Sequence, residues 1–254
     1  MIAVFVLALL LAPADAADVN DDEWDSASQL PAAECNMLRV PLEAFSEAQF
    51  HEFLSHRPFV LVGPADRQAV LQAATRRSAL LANHGRVSVT LSSSNTFSYH
   101  KRKVPLEQYV TEMRQAAGNA LANETWYLFG DGDPCVWTPI LEPYVMPPTV
   151  HDRAEVALSF GIGPDASGVQ VHVHGAVWAE TLHGRKRWIL FEPTATPVFD
   201  PDARSRVWID DVEQRQRLGA LDCTLAAGEI LWIPANWWHA TINVGETVFI
   251  SAFV

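Results

Sequence analysis

The chain has 254 residues, 49% of them apolar, and a formal net charge of −12 from 18 Lys and Arg against 30 Asp and Glu. That acidity argues against nucleic acid or an anionic membrane as a partner. The length suits one large domain with a sizeable core, and the sequence has no internal repeat.

Residues 1–16, MIAVFVLALLLAPADA, join an apolar run to the small-x-small end Ala14-Asp15-Ala16, which predicts a signal peptide cut after Ala16. The run is shorter than the roughly 17 to 20 residues of a spanning helix, and no later stretch is long and apolar enough to cross a bilayer. The C-terminal Ser251-Ala-Phe-Val254 is no retention tetrapeptide. The expected location is the endoplasmic reticulum lumen, or outside the cell. Residues 17–34, with Asp18, Asp21, Asp22, Glu23 and Asp25, read as a disordered acidic leader. Residues 35–254 read as a single domain, with helices and strands over 35–154 and a strand-rich core over 155–254.

Ser46-Glu-Ala-Gln49 is a capping-box pattern that opens a short helix with Phe50, Phe53 and Leu54 on one face. Pro58 ends that helix, and Phe59–Val62 reads as a strand. A helix is predicted over 66–83, a strand over 87–91, a solvated basic loop at His100-Lys-Arg-Lys103, a helix to about 115 and a strand over 126–129. Asn123-Glu124-Thr125 is a glycan acceptor triplet, of use only in the secretory pathway. From 155 the pattern becomes short strands, at 155–162, 169–174, 177–183, 186–191, 222–225, 229–233, 237–243 and 247–253, with one helical stretch at 207–218. Strands at this spacing suggest a sandwich or jelly roll with the earlier helices outside it. Of Cys35, Cys135 and Cys223, the first precedes the predicted elements and the last opens a late strand. A Cys35–Cys223 bridge would pin the entry segment to the core and leave Cys135 outside it, and three reduced thiols are the alternative.

In Val169-Gln-Val-His-Val-His174, period two places Gln170, His172 and His174 on one face and the valines on the other. The polar face looks either into a barrel mouth or into solvent. On the following strand Lys186 stands in line with Trp188 and Leu190, and it is one of only three lysines in the chain. A buried lysine there calls for an anion, whereas a snorkelling one needs none. Gly228-Glu-Ile-Leu-Trp-Ile-Pro-Ala-Asn-Trp-Trp-His239 then runs through a turn, an apolar strand and a proline into a histidine.

These three motifs, in this order and spacing, resemble the jumonji C domain. That family pairs His-x-Asp or His-x-Glu with a later histidine in a G-(D/E)-x-x-x-x-P-x-x-W-W-H setting. NTFSYHK, WYLFGD, SFGIG, HVHG, GRKRW and WWHATIN together resemble a lumenal member of the group. The resemblance spans most of residues 36–254 and implies a double-stranded β-helix, a cupin-like jelly roll with flanking helices. It further implies His172, His174 and His239 as metal ligands for Fe(II), with Lys186 and Tyr127 holding the distal carboxylate of 2-oxoglutarate and Asn243 as a weaker pocket residue. The chain departs from the family at three points. His174 replaces the metal-binding carboxylate, Val169 stands where relatives keep a threonine, and Ala179 lies near a pocket asparagine. Glu180 is read as a supporting residue and His183 as structural. Two readings follow, beside a third class, a cupin-like binder of small molecules or sugars. One is a module with weakened Fe(II) and 2-oxoglutarate binding that regulates signalling and metabolism through protein partners, self-association included. The other is a 2-oxoglutarate-dependent dioxygenase that hydroxylates a protein side chain.

Overall fold

The computed structural model describes residues 23–31, 33–115, 125–130 and 134–254. The signal segment, the acids up to Asp22 and the Asn123 acceptor lie outside the described residues.

In chain order the elements are β1 (Leu38–Pro41), α1 (Glu47–Gln49, continued by a π turn Phe50–Leu54), β2 (Phe59–Val62), α2 (Ala69–Ala74), α3 (Arg77–His84), β3 (Ser88–Ser93), β4 (Lys101–Pro105) and α4 (Leu106–Gln115). They continue with β5 (Trp126–Tyr127), α5 (Pro134–Leu141), β6 (Ala157–Gly163), β7 (Val177–Phe191), α6 (Val207–Asp210), α7 (Val212–Arg217), β8 (Leu221–Leu225), β9 (Glu229–Ile233) and β10 (Trp238–Phe253). The main sheet runs β1-β2-β9-β7-β10-β6, with β8 added on β7, and a second sheet runs β4-β3-β5. This is a mostly β, cupin-like jelly roll with helices on its flank.

Two long strands organise it. β7 pairs with β10 from Phe191↔Trp238 to Val177↔Phe253, with irregularities between Val244 and Phe249. A bulge lets one strand turn a corner and serve both ends of a barrel, which is why stretches that read as separate strands at 177–183 and 186–191, or 237–243 and 247–253, are continuous. Along β7 the first half also pairs with β9 and the second half with β8.

Hydrophobic burial closes the layers. Trp178 is fully buried, stacked against Phe50 and meeting Phe59 edge-on and Trp232 at a tilt. Leu71, Leu80, Leu106, Val110 and Ile140 seat the flanking helices on Val89 and Leu91 of β3. The Cys35–Cys223 disulfide is formed, and it joins residues 188 apart in sequence.

Several expectations are corrected. The leader is not disordered throughout, because Trp24 and Leu30 are buried and the Trp24 indole donates to the Thr75 carbonyl. The predicted 66–83 helix begins at Ala69 and breaks at Thr75, whose buried hydroxyl bonds back to the Leu71 carbonyl while Arg76 turns extended. The basic stretch at 101–103 is strand rather than loop: β4 pairs with β3, Lys101 reaches Ser92 and Arg102 forms an ion pair with Glu112. Helix 207–218 is two short helices, because Asp211 caps the second by accepting from the Gln214 amide.

Residues 169–174 form no regular strand, since their one ladder contact is the isolated bridge His172↔His239. Freed from strict alternation, fully buried Gln170 turns away from the histidines. It accepts from the Trp208 indole and donates to the Asp200 and Ala203 carbonyls, while Val173 is exposed.

His183, read as structural, packs on Thr75 with its Nε2 3.0 Å from the hydroxyl. Burial pushes its imidazole down to about 4. The unfolded ring, near 6.5, therefore takes up a proton first as the medium acidifies. Its contribution is complete above pH 6.5 and is lost as pH falls from 6.5 towards 4, reaching about 2 kcal/mol at pH 5. His183→Gln is expected to remove that part of the acid-side loss in urea unfolding at pH 7 and pH 5. Equal losses in both proteins would assign the acid sensitivity elsewhere.

Candidate metal centre

His239 opens β10, and His172 sits opposite it, with each backbone N–H donating to the other's carbonyl at 3.0 Å. The Asn236 amide donates to the His174 carbonyl at 3.0 Å, and Asn236 itself takes the left-handed turn (φ 66°) that short polar residues tolerate. The backbone thus fixes all three histidines before any ligand arrives.

The second nitrogen of each ring is also fixed. Nδ1 of His172 lies 2.8 Å from the Gln170 carbonyl, Nδ1 of His174 2.7 Å from Gly175 and Nδ1 of His239 2.8 Å from Trp237. A carbonyl has no hydrogen to give, so each Nδ1 carries the proton and each Nε2 presents a lone pair. All three ligand atoms lie within 4.8 Å of one another, and Nε2 of His174 is 2.9 Å from Nε2 of His239. Two lone pairs at that separation repel unless they share a cation. Protonation is disfavoured, because burial lowers all three imidazoles: His172 to about 4, His174 by a smaller depth of burial, and His239 well below 6.5 with the neighbouring imidazoles adding to the effect. A metal ion would satisfy the arrangement instead. Metal–imidazole bonds of about 2.1 Å at a right angle put nitrogens about 3.0 Å apart, close to the spacing seen here. The donor set fits a divalent transition metal, and its three backbone acceptors supply the orienting contacts such sites require.

Lys186 lies deeper, at 2% exposure. Its Nζ donates to the Tyr127 hydroxyl at 2.6 Å and to Asn243 Oδ1 at 3.0 Å, and Asn243 stands directly across the β7–β10 ladder from it. Among the described residues no carboxylate pairs with it, and burial holds its pKa well below 10.5. Gly163 on β6 makes room for this group, since a Cβ there would come within 2.1 Å of the Asn243 amide nitrogen and 2.4 Å of the Tyr127 ring.

The sequence-derived residues thus converge. His172, His174, His239, Lys186, Tyr127 and Val169 line one chamber, and Asn243 is bonded at its base. Residues to which sequence reasoning gave no site role also line it: Phe129, Thr241, Phe249, Ser251 and Phe253, together with Trp188, the neighbour in line with Lys186. Thr241 accepts from the Val169 amide at 3.0 Å. Glu180 stays outside the chamber, in a buried ion pair with Arg67 at 2.8 Å that Gln68 supports. Burial raises the Glu180 carboxyl, and the Arg67 guanidinium opposes that rise. Ala179 packs in the core with Val60 and Leu231. A larger cavity, about 150 Å³, lies beside Trp126 and Ser167 and is lined by none of the three histidines or Lys186.

Residues 44–252 match the family described as Cupin-like domain. The chain is 35% identical over 261 residues to JmjC domain-containing protein 8 of Homo sapiens, covering 100% of this chain and 97% of that protein. This chain belongs to the cupin-like JmjC family. It is also 37% identical over 232 residues to JmjC domain-containing protein 8 of Mus musculus, covering 89% of this chain and 86% of the relative. A shorter likeness, 31% over 111 residues, joins it to the bifunctional arginine demethylase and lysyl-hydroxylase psr-1 of Caenorhabditis briggsae, over 36% of this chain and 28% of that one.

JmjC proteins usually depend on Fe(II) and 2-oxoglutarate, and iron so held supplies oxidative chemistry driven by dioxygen. In this member a metal would be held by three neutral imidazoles, and none of the cluster is a carboxylate. A divalent ion would keep its full charge of two there, where a carboxylate would cut it to one. The dicarboxylate fits less well than the metal. The free space between the histidines and Lys186 is about 20 Å³, enough for about one water.

Proposed function

We propose that the protein is a metal-holding JmjC module without oxygenase turnover, which works through protein contacts as a regulator. The observation that carries this reading is the third imidazole: His174 stands in the family's carboxylate position, with its Nε2 2.9 Å from that of His239. An all-neutral donor set lacks the anionic charge with which a carboxylate attracts Fe(II), so it binds that ion less tightly, while imidazole still suits divalent zinc, iron and nickel. The purified chain is expected to hold about one equivalent of divalent metal by mass spectrometry and to release succinate from 2-oxoglutarate only at background. Brisk turnover by iron-loaded protein would sink the reading.

The competing reading is an oxygenase that hydroxylates a protein side chain. It draws on the Lys186–Tyr127–Asn243 group, which retains the family's means of holding a carboxylate, and on relatives whose names include demethylase and hydroxylase.

We also propose that the chain works in the endoplasmic reticulum lumen. The apolar leader with its Ala14-Asp-Ala16 end, the Asn123-Glu-Thr125 triplet and the Cys35–Cys223 bridge support this together. Among the described residues no helix is long and apolar enough to cross a membrane. Endoglycosidase treatment is expected to increase gel mobility of protein from secretory cells, and Asn123→Gln to abolish the change. Unchanged mobility with residues 1–16 intact would overturn the assignment.

A further inference from the structure

The chamber has one wall of imidazoles and another of aromatic rings. Beyond the irregularity in β10, Phe249, Ser251 and Phe253 recur at the period of two that turns alternate residues to one face, and all three line the chamber. Phe129 packs behind them, 5.3 Å from the Phe249 ring and 6.5 Å from Phe253. Phe253 meets the His174 ring edge-on at 5.0 Å, and Tyr127 lies 5.9 Å from Phe249. Phe249 is the closest of these rings to the ammonium, with its centroid 3.8 Å from Lys186 Nζ.

That contact changes what Lys186 can do. A cation over an aromatic face within about 6 Å is attracted by the ring quadrupole, the more so when water is excluded. Ring carbon thus lies against the ammonium, with the Phe249 centroid nearer to Nζ than the Tyr127 or Trp188 ring. The remaining polar contacts of Nζ go to Tyr127 and Asn243. With about 20 Å³ left free, the chamber holds roughly one water. Trp188, which lines the same chamber, carries a buried indole N–H without an acceptor among the described residues, a donor that such a water would satisfy.

The ring is held in place from behind. Phe249 stands directly opposite Gly161 on β6, and a Cβ at Gly161 would come within 2.2 Å of the ring. The far end of the ring therefore lies over bare backbone, a position open only because residue 161 has no side chain.

We propose that Phe249 is a plug: its ring takes the place against Lys186 that a carboxylate needs, so the centre accepts a divalent metal and water and excludes a five-carbon dicarboxylate. This rests on the reading of the chamber as a JmjC metal pocket and names why its co-substrate half is closed. The test is calorimetric titration of the full chain with 2-oxoglutarate, with and without Mn(II), and separate titration with Mn(II) alone. Wild-type protein is expected to show no saturable dicarboxylate binding. Phe249→Ala is expected to bind at least tenfold more tightly than wild type, and adding Lys186→Met should abolish the gain. Phe249→Leu, which keeps an apolar filling, is expected to fall between them, and it carries the test if the alanine variant does not fold. Circular dichroism identifies folded variants. Equal binding by wild type and the variants, or no binding by any, overturns the plug. Absence of Mn(II) binding overturns the metal centre alone, because the gain through Lys186 must still be seen without metal.

Discussion

Removing the Cys35–Cys223 bridge is expected to cost about 2 to 5 kcal/mol of stability, the largest loss from any single covalent change in the molecule. The bond closes a loop of 188 residues, and loop-closure entropy alone assigns roughly 5 kcal/mol to a loop of that length. The lower figure allows for contacts that keep the two ends near each other without it. The Asn36 amide donates to the Asp222 carbonyl, the Asn36 side chain accepts from Asp222 and donates to Ala220, and Arg187 donates to the Pro31 carbonyl. The Cys223 side chain is fully buried among Leu190, Leu225 and Leu231, so alanine is the cleaner replacement: serine would add a buried hydroxyl in an apolar setting. The pair Cys35→Ser with Cys223→Ala should unfold at markedly lower urea than the oxidised chain, and reductant should move wild type to the same midpoint. Reductant without effect would show that the bridge does not form. Because disulfides persist only in oxidising compartments, the same experiment bears on where the protein works.

What could be read from the sequence follows a physical division. The apolar strands at 59–62, 229–233 and 247–253 were legible because β-branched and aromatic runs between turn residues leave little alternative. Lys186 was legible because an in-line lysine beside Trp188 has few comfortable explanations. The stretch 169–174 was misread because alternation shows side-chain direction only in a regular ladder, and here the backbone is held at separate points, Val169 by Thr241, His172 by His239 and His174 by Asn236. Gln170 was free to turn to Trp208. The helix α5 was hidden by its own prolines, Pro134 at the first helical position and Pro139 inside it. The leader looked too acidic to order, yet Trp24 and Leu30 anchor it, and the Asp25 backbone bonds reciprocally with Glu246, a residue that Arg114 also holds. The aromatic wall was invisible for a different reason. That Phe249 lies over Gly161 and against Lys186 depends on the register of three strands, and no local pattern carries register across such distances.

His239→Ala is expected to lower divalent metal affinity at least a hundredfold, and His174→Asp to raise Fe(II) affinity about tenfold, both read by equilibrium dialysis. The first follows from position. His239 is buried at 1% exposure, its backbone is locked to His172 in both directions and its Nδ1 proton is committed to Trp237, so no neighbouring side chain can replace its Nε2. Loss of an orienting partner alone commonly costs ten- to a hundredfold in metal affinity, and loss of a ligand should cost more. The second follows from charge. Aspartate at 174 replaces a neutral donor by an anionic oxygen and restores the facial set of two histidines and a carboxylate that suits non-haem Fe(II). Turnover of 2-oxoglutarate by His174→Asp is expected to remain at background, because Val169 still lines the chamber and Phe249 still covers Lys186. Added to Phe249→Ala, the same change is the combination expected to bind metal and dicarboxylate together. If wild-type protein instead holds stoichiometric iron and consumes 2-oxoglutarate, and His174→Asp lowers both, then the third histidine is a functional iron ligand and the chain is an oxygenase.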